Sequence, residues 1–99
     1  MTGEEIILKV GARTKPGAFA GAIYNNIMEG KHVLARAFGM NAYGVMSQGI
    51  ALAYEYFESN GKRMYCHMSS RREADGLDDR DIRSFTVAFM VVDAPPDDA

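Results

Sequence analysis

The chain has one cysteine, no tryptophan and three prolines in 99 residues, and each shortage excludes something. A lone thiol, Cys66, cannot close an intramolecular disulfide, so this is not a small secreted scaffold held by cross-links. No apolar run approaches the length of about 18 residues that a membrane helix needs. The first residues also lack the charged flank and apolar stretch of a secretory leader. A cytoplasmic protein without membrane contact is the expectation. Charge of one sign is scarce too: 11 Lys and Arg stand against 13 Asp and Glu, a net −2, so bulk attraction to a polyanion is not written in the total. What remains is 47% hydrophobic, too apolar for a disordered chain and too short for a second core.

Charge distribution is more informative than the total. Asp93, Asp97 and Asp98 fall in a C-terminal stretch whose Pro95 and Pro96 cannot join a central strand or a helix interior. The composition predicts a disordered acidic tail over 93–99 and a single domain over 4–92. Without the tail the body is close to neutral, with its basic residues bunched between the periodic segments.

Ile6, Leu8 and Val10 alternate in period two and predict a strand over Glu4 to Val10, ended by Gly11. Pro16 suits the first position of a helix, on which Phe19, Ala20, Ile23 and Ile27 share a face and which Gly30 closes. His32 to Phe38 alternates again. Asn41 is placed to cap a second helix with Ala42, Met46, Gly49, Ala53 and Phe57 on one side, and Asn60-Gly61 stops it. Met64 to Met68 and Ser84 to Val91 read as two further strands, with a polar hairpin loop between them. The order βαβαββ predicts an α+β two-layer sandwich: a mixed four-stranded sheet with both helices on one face. Small residues on both helices, Gly17, Ala20, Gly21, Gly44 and Gly49, suit close packing, either within the chain or between copies.

Catalytic constellations are poorly represented. Gly39 and Gly44 have the glycine spacing of a phosphate loop, but Val45 and Met46 stand where lysine and a hydroxyl must hold phosphate and magnesium. Cys66 and His67 are adjacent in a strand and point to opposite faces, so with His32 they make no ligand set. Cys66 reads as an inert core thiol. Asp75, Asp78, Asp79 and Asp81 lack calcium-loop spacing and read as a solvated hairpin tip. The expectation is a protein that is not an enzyme and holds neither metal nor cofactor.

Basic residues are the most suggestive set. Arg13 and Lys15 occupy the first strand-to-helix loop, Arg71 and Arg72 the hairpin, and Arg36, with Lys9, alternates to the sheet face opposite the helices. Loops carrying these charges can straddle phosphates.

The ordered segments Ile6-Ile-Leu-Lys-Val-Gly-Ala-Arg-Thr-Lys-Pro-Gly-Ala-Phe-Ala-Gly-Ala-Ile23, His32-Val-Leu-Ala-Arg-Ala-Phe38 and Gln48-Gly-Ile-Ala-Leu-Ala53 resemble the stage V sporulation protein S family, over roughly residues 4–92. That family looks like the Alba superfamily in fold. The resemblance implies a small bacterial protein linked to sporulation or developmental regulation, a homodimer or higher homo-oligomer, binding DNA or RNA through Arg13, Lys15, Arg36, Arg71 and Arg72. The chain departs from the usual family pattern on the second helix, where Gly44-Val-Met-Ser-Gln48 and Tyr54 replace basic residues. That departure leaves a second expectation beside the first, a non-enzymatic interaction or oligomerisation module that has lost nucleic-acid binding.

Overall fold

The computed structural model describes residues 3–73 and 82–95. Its elements run β1 (Glu5–Val10), α1 (Pro16–Met28), β2 (His32–Phe38), α2 (Gly39–Glu58), β3 (Lys62–Glu73) and β4 (Ile82–Asp93). The sheet order is β1-β2-β4-β3. β1 and β2 pair in parallel, and β4 pairs antiparallel with both β2 and β3. This is the α+β sandwich expected from the sequence, with an Alba-like order of elements.

Alternation decides which face the helices cover. Val33, Ala35 and Ala37 of β2 are buried, as are Phe85 and Val87 of β4. They form one core with Phe19, Ala20 and Ile23 of α1 and Ala42, Met46, Ala53 and Phe57 of α2. Both helical faces are those the periodicity marks. Tyr43 stacks on Phe85 at 4.6 Å and Tyr24 on Phe57 at 4.8 Å between ring centroids, sealing the two ends of the layer. Among the described residues no helix covers the opposite face of the sheet.

Among the small residues, Gly49 is the one that brings the helices together. A Cβ there would overlap the Phe19 ring and lie 3.2 Å from the carbonyl oxygen of Pro16. At Gly17, Gly21 and Gly44 an added Cβ meets nothing within 4 Å, so these three glycines serve no close approach inside the chain.

The structure corrects four expectations. Asn41 does not cap α2: the helix begins at Gly39 directly after β2, without a side-chain cap, because Gly39 turns the chain at φ 84°. The hairpin strands extend well beyond Met64–Met68 and Ser84–Val91, so Arg71 and Arg72 lie on β3 and not in a loop. Cys66 is exposed; it faces the helix side, but β3 is an edge strand that α2 only partly covers. Asp93 ends β4 and belongs to the domain: its carboxylate accepts a hydrogen bond from Lys62 Nζ at 2.8 Å, and the amide of Ala94 donates to the carbonyl of Gly61. The Lys62 ammonium holds the Asp93 carboxyl below the usual carboxylate range. The hairpin-tip acids Asp75, Asp78, Asp79 and Asp81, together with Asp97 and Asp98, lie outside the described residues.

Candidate functional site

Strand direction gathers the basic residues at one end. β1 and β2 are parallel, so the loop after Val10 and the junction after Phe38 leave the sheet on the same side. β3 runs parallel to β2 through their shared antiparallel neighbour β4, which carries Ser70, Arg71 and Arg72 toward that same side. Both helices start there too, and neither has an acidic residue in its first turn. The positive ends of both helix dipoles therefore add to the side-chain charge without local neutralisation.

The loop over residues 11–15 is a closed turn. Thr14 donates its amide to the Gly11 carbonyl at 3.1 Å, and its hydroxyl accepts the Gly11 amide at 2.9 Å. Arg13 stands exposed on this turn, and Lys15 occupies the position before α1, its carbonyl accepting the amide of Phe19. The reciprocal pair of bonds between Gly11 and Thr14 closes the turn and holds the loop tip in place.

The other residues divide by face. On the open sheet face the pairing register sets Lys9, Arg36, Thr86 and Ser69 in one row across the four strands, and Phe38, Ser84 and Arg71 in the next. The two rows form a concavity of about 350 Å³ lined by Arg36, Phe38, Ser69, Ser70, Arg71, Ser84 and Thr86. Among the described residues no carboxylate belongs to this lining, and neither Arg36 nor Arg71 has an ion-pair partner. Arg72 alternates to the other side of the hairpin arm, directly across from Arg83. Arg83 in turn donates from Nη1 to the Ser70 hydroxyl at 3.5 Å.

Of the five residues picked from sequence, Arg36 and Arg71 thus share one concavity, Arg13 and Lys15 lie in the β1–α1 turn at the same end of the sheet, and Arg72 faces away from the concavity. Phe38, Arg83 and the hydroxyls of Ser69, Ser84 and Thr86 escaped sequence reasoning. The available signal was register: with Arg36 on a strand facing away from the helices, Phe38 must share its face and protrude at the strand end.

Cys66 offers separate chemistry. It borders a cleft of about 220 Å³ between α2 and β3 with Tyr43, Met46, Ile50 and Met68. Desolvation there pushes the thiol pKa up from its ordinary value, so the reactive thiolate is scarce at neutral pH. A soluble disulfide reagent is expected to label the folded chain completely at one site, but more slowly than free cysteine at the same pH; labelling only after denaturation would return Cys66 to the core. Among the described residues no group of three or more His, Cys, Asp or Glu is arranged to hold a metal ion, and no helix is long and apolar enough to cross a membrane.

Among known families, the model of the one described as Stage V sporulation protein S matches residues 6–72, about two thirds of the chain. No curated protein matches it.

Proposed function

The chain belongs to the stage V sporulation protein S family, and from that premise we propose that it is a small non-enzymatic regulator of the sporulation or developmental type that binds nucleic acid through backbone phosphates. Arg13, Lys15, Arg36, Arg71 and Arg72 make the contacts. The observation that carries this reading is the convergence at one end of the molecule of the β1–α1 turn, the basic arm of β3 and two helix N-termini free of acids. Charge so placed recognises phosphate, not sequence. The protein works as a homodimer or higher homo-oligomer, a reading supported by exposed apolar side chains such as Met28 at 49% and Met90 at 60%.

A protein-interaction or oligomerisation module without nucleic-acid binding is the second reading. The same exposed apolar side chains favour it, as does the uncharged α2 segment from Gly44 to Gln48.

Salt dependence separates the two. Five phosphate contacts give a slope of about −4.5 in log affinity against log salt for duplex DNA, at about −0.9 per contact. Replacing Arg71 and Arg72 together by alanine is expected to flatten it to about −2.7. An unchanged slope removes the β3 arm from the interface.

A further inference from the structure

The concavity on the open sheet face differs in kind from the exposed loop charges around it. Loop cations meet a phosphate backbone of any form. A hollow in a sheet face, floored by hydroxyls and edged by an aromatic ring, fits a single nucleotide unit with its base turned out of a stack.

Three observations converge. First, Arg36 on β2 and Arg71 on β3 are separated by the one strand β4. Two inter-strand spacings place their backbones about 10 Å apart across the sheet, a gap that two long guanidinium side chains can close over one phosphate. Between them lie Thr86 and Ser84 of β4. Second, among the described residues the lining holds no carboxylate, and its described polar side chains are two guanidinium groups and four hydroxyls. Third, Phe38 stands at the rim with 55% of its surface exposed, while Phe19, Phe57 and Phe85 are buried in the core. Its ring is an exposed stacking surface two residues along β2 from Arg36 and in the same cross-strand row as Arg71, with Ser84 between. The same face continues down β3 past His67 to the exposed Tyr65, which gives a strand a second aromatic surface along its path.

Stacking on Phe38 requires a base whose own face is free. A duplex keeps its bases stacked on each other, whereas unpaired strands splay them onto aromatic side chains. Resting on the nucleic-acid reading above, we propose that this concavity binds one nucleotide unit of a single-stranded nucleic acid, its phosphate between Arg36 and Arg71 and its base on the Phe38 ring. Duplex DNA meets the same cations through its phosphates but leaves the Phe38 ring unused.

The test uses the full chain and two probes, a short random single-stranded RNA and a random duplex DNA of equal length, by fluorescence anisotropy at low salt. Phe38→Ala is expected to weaken single-strand binding about 5- to 100-fold, the loss of one base stack, and to change duplex binding by less than about twofold. Phe38→Trp is expected to restore single-strand binding. Since the chain has no other tryptophan, its emission should be quenched by the single strand and not by the duplex. Equal effects of Phe38→Ala on both probes, or unquenched emission in a Phe38→Trp chain that binds the RNA, would overturn the sheet-face site while leaving phosphate binding by the loops intact. Failure of the unmodified chain to bind either probe would overturn both.

Discussion

Gly49→Ala is expected to cost about 1–3 kcal/mol of folding stability, while Gly44→Ala, on the same helix, is expected to add about 0.5–1 kcal/mol. The two changes add the same methyl group, and their environments give it opposite signs. At position 49 the methyl is driven into the Phe19 ring and toward the Pro16 carbonyl. Phe19 is buried, and backbone cannot yield without moving the start of α1. At position 44 the methyl meets nothing, so only the reduced backbone entropy of the unfolded chain remains. A change of about 1 kcal/mol moves the midpoint of a domain this size by about 4–8 °C, so thermal melts read both. A Gly44→Ala chain that melts lower and sediments as a smaller species would mean instead that Gly44 is packed against a second copy.

Removing all five proposed phosphate contacts, with Arg13, Lys15, Arg36, Arg71 and Arg72 changed to alanine, is expected to abolish measurable binding to duplex DNA. A slope of about −4.5 means that a fourfold rise in salt weakens binding about 500-fold. Affinity of this kind resides almost wholly in the charge. None of the five belongs to the buried core, so the melting midpoint should shift by only a few degrees, which separates lost contacts from lost fold. A variant that keeps the original slope would move the interface to Lys9, Arg83 or elsewhere and favour the interaction-module reading for this end of the molecule.

The fold was legible where one face of an element is buried. β2 reads directly because its alternate residues fill the core, and the five residues assigned to the inner face of α2 are the ones buried there. The hairpin arm was not legible, for a related reason. Residues Ser69 to Glu73 run beyond the helices, with solvent on both sides for those whose burial is described, so no apolar period survives in Ser-Ser-Arg-Arg-Glu and the composition imitates a loop. Cys66 shows the converse: its period is that of a core residue, but an edge strand only partly roofed by α2 leaves it exposed. The site was partly legible. Basic residues could be picked by type and face, yet the approach of Arg36 to Arg71 depends on β4 inserting between β2 and β3, a strand order that alternation does not encode.

The most direct measurement is binding of the unmodified full chain to random duplex DNA and to single-stranded RNA by fluorescence anisotropy, at about 50 mM salt and again at about four times that concentration. Micromolar or tighter binding that falls about 500-fold for the duplex is the expected result. No binding to either probe at the lower salt would contradict nucleic-acid binding and leave the molecule a protein-interaction module.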